Sequence, residues 1–291
     1  KAMVDKLHQK GIAFMISVWP NCGEGGENNQ EFAQKGKLLC NYSTYDAFDK
    51  EARDMYWKQC EKELFAAGTD AWWCDSTEPF TPDWKGLEKP SEEARYEMAK
   101  ENLTRYFDAR IANNFALAHA KGIYENQMEA SQEKRVVNLT RSGSISIQQY
   151  GVILWSGDIM ATWDVFRNQI AEGLSICMSG IPYWTLDIGA FFVGSTKGFR
   201  RFSNVTEGEA PWFWQGLFED GVGDNGYKEL YTRWLQFGTY LPIMRSHGTD
   251  TPREPWNFGN PGDKYYDTIV NYIYRRYQML RSEERRVGKE C

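Results

Sequence analysis

Three observations on the sequence predict an α/β fold built on a parallel sheet. Short, almost continuous apolar runs recur along the chain, longer stretches with helical spacing separate them, and the runs end in polar or aromatic residues. Strands that are apolar at every position suit a sheet covered on both faces, which is the parallel case. Strand–helix alternation leaves two architectures, an open doubly wound sheet or a closed (β/α)8 barrel. The open kind usually carries a phosphate loop directly after its first strand. Here the first strand is followed by NCGEGGENN (21–29), which fits neither GxGxxG nor GxxxxGK[ST] and reads as a mobile loop far from a helix start. Polar residues at the C-terminal ends of several strands are the barrel habit. The expectation is an incomplete TIM barrel, approximately strands 3 to 8.

The elements follow in order. KAMVDKLHQKGI is amphipathic and reads as the tail of a helix whose beginning is missing. IAFMISVWP (12–20) is the first strand. A helix is predicted over 49–68, opened by Asp49 and closed by Gly68. DAWWCD (70–75) is the second strand. Residues 91–122 read as one helix with Ser91 as N-cap and Gly122 as C-cap. RVVNLTRS (135–142) and GVILWSGD (151–158) are strands whose connection, GSISIQQY, has no obvious helix. Then come a helix over 163–180, a strand over 181–189, a long loop over 195–226 read as a lid, a helix over 227–238, a strand over 240–248 and a helix over 263–280. RSEERRVGKEC at the end resembles a translated sequencing adapter. Residues 1–280 are therefore read as a partial TIM-barrel catalytic domain and 281–291 as a non-native tail, and the chain as a fragment of a longer protein.

Bulk properties exclude some classes of function. A net charge of −6 and a pI near 5.3 argue against coating nucleic acid or an anionic membrane. No run of about 18 apolar residues exists, so no transmembrane helix is expected. Six cysteines lie scattered without CxxC or metal-ligand spacing, which argues against a disulfide framework and favours a reducing, cytoplasmic compartment. Aromatics reach 15%, with 12 Trp. Most such rings belong to a core, but their flat faces and N–H donors also suit sugars.

Asp75, Asp158 and Asp187 each end an apolar run, so a parallel barrel projects all three into one mouth. Paired carboxylates there can divide labour, one ionised as nucleophile and one protonated as acid. One Asp at a strand end is more often a helix cap; three with aromatic neighbours reverse that reading. Arg141, Arg245 and His247 end other strands and offer donors to hydroxyls. Trp19, Trp73, Trp155 and Trp184 are candidate pocket walls. No HxH, HExxH or GxSxG is present, and of three histidines His8 and His119 fall in helices, so no metal or cofactor is expected. Cys74 reads as a packing thiol.

On these residues the chain resembles glycoside hydrolase family 31. DAWWCDSTEP is similar to the family's nucleophile segment at the fourth barrel strand, and YGVILWSGDIMATWDVFRNQI to its sixth-strand acid/base segment. GIAFMISVWP resembles the third strand, while SGIPYWTLDIGAFF and FGTYLPIMRSHGTDTPREPW resemble later segments. The resemblance implies Asp75 as nucleophile and Asp158 as general acid/base. It implies that Trp19, Trp73, Arg141, Trp155, Asp187 and His247 line the sugar site. Some family members place Lys where Trp73 stands, and the WWxDxxEP form resembles α-xylosidases. The implied function is a retaining α-glycoside hydrolase releasing α-linked xylose from an oligosaccharide, with α-glucosidase as the alternative. A non-catalytic sugar-binding barrel and a metal-dependent hydrolase are the alternatives of another class.

Overall fold

Four apolar runs become short parallel strands: β1 (Met15–Val18), β2 (Ala71–Cys74), β3 (Asn138–Thr140) and β4 (Val152–Trp155), hydrogen-bonded in sequence order. Their register sets the rung Val18–Cys74–Thr140–Leu154. The next residue along each chain is therefore Trp19, Asp75, Arg141 and Trp155, so four of the expected site residues share one level. These coordinates are a computed structural model that describes residues 1–39, 43–78, 82–106, 108 and 110–287. The chain divides into two units, Lys1–Asp83 with Pro90–Trp155, and Trp84–Lys89 with Ser156–Cys291.

The first unit surrounds those strands with helices α1 (Ala2–Gln9), α2 (Glu27–Gln34), α3 (Lys50–Cys60), α4 (Glu92–Tyr106) and α5 (Phe115–Ala130). Side chains of a strand alternate between faces, and β2 uses this. Trp72 and Cys74 are buried among the helices, where Trp72 meets Trp57 of α3 edge-on at 5.7 Å and donates its indole N–H to Gln127 of α5 at 2.7 Å. Trp73 and Asp75 take the other face. Cys74 is a fully buried packing thiol whose pKa burial pushes up. Asp49 caps α3 by accepting from the amides of Glu51 and Ala52, and a π-helical turn, Glu61–Phe65, extends that helix toward Gly68. Ser91 Oγ accepts from Ala94 N–H at the start of α4.

Three expectations need revision in this unit. The helix predicted over 91–122 is two helices, α4 and α5, with a 3-10 turn, Ala112–Asn114, leading into the second. Gly122 lies inside α5, where a Cβ would stand 2.7 Å from the Arg53 side chain; it is there for close packing on α3, and a close-packing glycine looks the same as a stop signal in sequence. The glycine-rich stretch 21–29 runs directly into α2, whose N-cap is Gly26 and whose first turn holds Glu27. The connection GSISIQQY contains a 3-10 turn, Ile147–Tyr150.

The second unit holds β5 (Trp184–Thr185) with α6 (Trp163–Met178), α7 (Thr196–Ser203), α8 (Asn225–Gly238) and α9 (Lys264–Val287). Thr162 caps α6 by accepting from Val165 N–H at 3.1 Å. Trp234 of α8 is fully buried and stacks on Phe166 of α6 at 4.9 Å. The strand predicted over 240–248 is reduced to one parallel bridge, Ile188 with Ser246. Pro242 has no N–H to add to a ladder, although Ile188 N–H still donates to Arg245 O at 3.1 Å. The stretch 195–226, expected as a loop, is structured in part. It contains α7 and buries Trp212 and Trp214, the latter 4.4 Å from the Phe192 ring, while Phe218 N–H donates to Val193 O.

A GxGxxG string does occur, at 221–226 ahead of α8. It forms a 3-10 turn, Gly221–Gly223, and the N-cap there is Asp224, whose carboxylate accepts from Gly226 N–H at 2.6 Å. That helix end already carries an anion, so no phosphate reading follows. α9 continues to Val287, and residues 288–291 of the expected tail lie outside the described residues. Cys22, Cys60 and Cys74 are buried free thiols and Cys177 is exposed; Cys40 and Cys291 lie outside the described residues. Among the described residues no helix is long and apolar enough to cross a membrane.

Candidate active site

Asp75 stands one residue past β2, with its side chain 18% exposed. Its amide donates to Val18 O at 3.0 Å, which fixes it at the strand end. Ser76 follows with φ +54, the left-handed region that side chains other than Gly rarely adopt. Such strain persists where surrounding contacts over-determine it, often at functional sites. Here the turn brings Ser76 N–H to Asp75 Oδ1 at 2.7 Å.

Arg141, one residue past β3, aims its guanidinium at the same carboxylate, Nη1 to Oδ1 at 3.2 Å. Its Nη2 makes an ion pair with Glu78 Oε1. Thr77 ties the two strand ends together, because its hydroxyl bonds Thr140 Oγ1 at 2.8 Å and Ser142 Oγ at 3.0 Å and accepts from Ser142 N–H. The aromatic neighbours are Trp73 and Trp155, whose rings meet edge-on at 5.9 Å. Asp75, Arg141, Trp73 and Trp155 are thus one cluster in the first unit.

Trp19 sits at the end of β1, 49% exposed, its carbonyl accepting from Tyr56 O–H at 2.9 Å. It lines an open cleft of about 960 Å³ with Asn21, Cys22, Tyr56 and Gln59. Neither Asp75 nor Arg141 is among the residues that wall that cleft. A smaller cavity of about 340 Å³ is lined by Thr77, Glu78, Ser142, Asn102 and Asn113 among others.

In the second unit Asp158 follows Gly157, whose φ of +80 turns the chain beyond β4, and Ile159 O just after it accepts from the amides of Phe191 and Phe192. Asp158 is half-buried. Asp187, two residues past β5, is fully buried and ion-paired with Arg245. His247 is half-buried with its ring 5.4 Å from that of Phe191. Burial, with the charges of Arg245 and Arg253, pushes its pKa down to about 3, so at neutral pH it offers one N–H and one lone pair. Arg253 donates to Ala190 O at 2.6 Å and so anchors its loop to the main chain. Trp184, expected as a candidate pocket wall, is 2% exposed and packs where a Cβ on Gly173 of α6 would be.

Sequence reasoning missed Glu78 and Thr77. Their signal was spacing: both follow Asp75 within the first turn past β2, where a side chain can reach the neighbouring strand end.

Parallel strands with helices on them, and carboxylates with an arginine and tryptophans at the strand ends, define an α/β domain that gathers its polar and aromatic side chains at the C-terminal ends of its strands. The chain belongs to glycosyl hydrolases family 31, whose TIM-barrel domain model matches residues 1–281. It is 33% identical over 280 residues to an alpha-xylosidase of Saccharolobus solfataricus, an alignment covering 96% of this chain and 33% of that protein. Its fold is similar to the crystal structure of a family 31 alpha-xylosidase from Xanthomonas citri, with a TM-score of 0.76 and 30% identity over 94% of this chain and 29% of that one. A family 31 alpha-xylosidase from a soil metagenome, solved with xylose, gives a TM-score of 0.74 and 27% identity over 99% of this chain and 41% of that one. An alpha-glucosidase of Saccharolobus solfataricus is also related, at 25% identity over 96% of this chain and 40% of that protein. The chain spans about a third of the length of the first of these relatives.

Proposed function

We propose that this chain carries the catalytic machinery of a retaining α-glycosidase, with α-linked xylose as the sugar released and residues 1–280 as the catalytic domain. Residues 281–291 are no part of that machinery. The observation that carries the reading is the Asp75–Arg141 contact at the end of adjacent parallel strands. A carboxylate held in that way, with tryptophan rings beside it, is equipped to attack an anomeric carbon.

In the first step Asp75 forms a bond to C1 as the bond from C1 to the leaving oxygen breaks, and Asp158 gives its proton to that oxygen. In the second step Asp158 takes a proton from water, whose oxygen bonds C1 and releases the Asp75 carboxylate. Trp19, Trp73 and Trp155 supply apolar faces for the sugar ring, and Arg141, Asp187 and His247 are its polar partners. Retention calls for carboxyl groups about 5–5.5 Å apart, against about 6.5–9.5 Å for inversion. The preference for xylose is supported by the alpha-xylosidases among the relatives and by Trp73, where some family members carry Lys.

The test is hydrolysis of an aryl α-xyloside and an aryl α-glucoside by the full-length protein, with the product anomer followed by NMR. The expected outcome is α-xylose as first product, faster cleavage of the xyloside, and loss of essentially all turnover in Asp75→Ala. A β anomer first would exclude retention, an active Asp75→Ala would exclude the nucleophile, and a preference for the glucoside would move the assignment to α-glucosidase.

A further inference from the structure

We infer that Glu78 is a positioning residue that holds Arg141 against Asp75 throughout the reaction; this rests on Asp75 being the nucleophile. Arg141 has a divided guanidinium. Nη1 lies 3.2 Å from Asp75 Oδ1, while Nη2 is ion-paired with Glu78 Oε1. All three side chains are largely shielded, 11% exposed for Arg141, 18% for Asp75 and 28% for Glu78. A flexible arginine between two carboxylates in such surroundings is fixed by both, and planar guanidinium geometry makes each contact directional.

The main chain supports the same arrangement. Ser76 adopts φ +54, so the turn past β2 doubles back and lets Asp75 and Glu78, three residues apart, meet one arginine. Thr77 between them bonds Thr140 and Ser142, the two neighbours of Arg141. Thr77 thus fixes the backbone on both sides of Arg141 and Glu78 fixes its side chain.

The two carboxylates differ in what the reaction does to them. Once Asp75 is esterified to the sugar it has lost its charge, and Arg141 has lost that counter-ion. Glu78 forms no bond with the sugar and keeps its charge. It therefore keeps one side of Arg141 compensated and in place while water attacks, so that the guanidinium is already seated when the Asp75 carboxylate is released.

The experiment is a double-mutant cycle on Asp75 labelling. The full-length protein and its Glu78→Gln, Arg141→Ala and doubly substituted forms are treated with a ring-fluorinated α-xylosyl fluoride, which traps the glycosyl-enzyme. Labelling and release rates are read by intact mass, and the site by peptide mapping. Glu78→Gln keeps the shape and removes the charge, so the labelling and release rates should each fall about 10- to 100-fold, with the melting temperature changed little. In the Arg141→Ala background the same substitution should have no further effect, because Glu78 acts through Arg141. Glu78→Asp should restore part of the rate. Additive losses in the double variant, or unchanged rates in Glu78→Gln, would overturn the inference while leaving Asp75 as nucleophile. If Glu78→Gln fails to fold, the Glu78→Asp and Arg141→Ala pair completes the same cycle. Absence of label on Asp75 in the unsubstituted protein would overturn the nucleophile assignment itself, and this inference with it.

Discussion

Asp187 illustrates how much one buried charge depends on its partner. The carboxylate is fully buried and Arg245 beside it is 12% exposed, so neither charge has bulk water to fall back on. Removing one member of such a pair takes a counter-charge from a desolvated partner, which typically costs about 3–5 kcal/mol. Asp187→Ala should therefore lower stability by about that much, and Asp187→Asn by less, because the amide still accepts from the guanidinium. Urea unfolding of the two variants checks this; an Asp187→Ala midpoint equal to that of the unsubstituted protein would mean that the pair is not desolvated. The residue is expected to bind sugar and is also part of what holds Arg245, so loss of activity alone does not separate the roles. The sequence put Asp187 and Arg245 at strand ends but did not pair them, because they lie 58 positions apart and no local spacing encodes that contact.

At the scale of elements, the strand ends are built by turns with positive φ. Asp75 is followed by Ser76 at φ +54 and Asp158 is preceded by Gly157 at φ +80. A Cβ in that region costs about 1–2 kcal/mol, and only glycine escapes it. Gly157→Ala should destabilise the second unit by about that amount and displace Asp158, so that turnover falls more than stability does. Ser76→Gly should be tolerated in stability. Thermal melts alongside initial rates check both, and a Gly157→Ala protein with full activity would show that the turn has no part in placing Asp158. Strands and helices were largely legible, since five of the six apolar runs contain a strand and Asp49 and Ser91 cap the helices assigned to them. The failures share a cause. Gly122, the 240–248 run and the 195–226 stretch owe their conformations to partners far along the chain: Arg53, Ile188, and the pair Phe192 and Val193.

For the molecule as a whole, buried histidines set the response to acid. His119 is fully buried with its ring bonded to Tyr45 O–H at 2.7 Å, and burial pushes its pKa down to about 3. His247, in the other unit, is pushed to about 3 by burial and by Arg245 and Arg253. An unfolded histidine takes its proton near pH 6.5. Between there and about pH 3 the unfolded chain therefore binds more protons than the folded one, and stability falls as pH falls, by at most about 1.4 kcal/mol per pH unit for each histidine. Asp70 acts later. Burial would raise its pKa, but hydrogen bonds from Lys134, Phe14 N–H and His8 outweigh that and bring it to about 2, so its contribution is lost only as pH drops below the ordinary Asp range. Urea midpoints at neutral pH and near pH 4.5 should differ accordingly, and His119→Gln should flatten the profile. A flat profile in the unsubstituted protein would contradict the burial of both rings.

The sequence by itself determined the family, through its motifs, the order of most strands and helices, and the strand ends on which Asp75 and Arg141 stand. Those follow from motifs, apolar runs and caps, which are local, while the register that puts Trp19, Asp75, Arg141 and Trp155 on one level came with the strand pairing. Only the tertiary structure decided that Glu78 shares Arg141 with Asp75, that Asp187 meets Arg245, and that Trp184 belongs to the core. Each depends on which side chains two distant segments bring within a few ångströms, and that distance is set by packing.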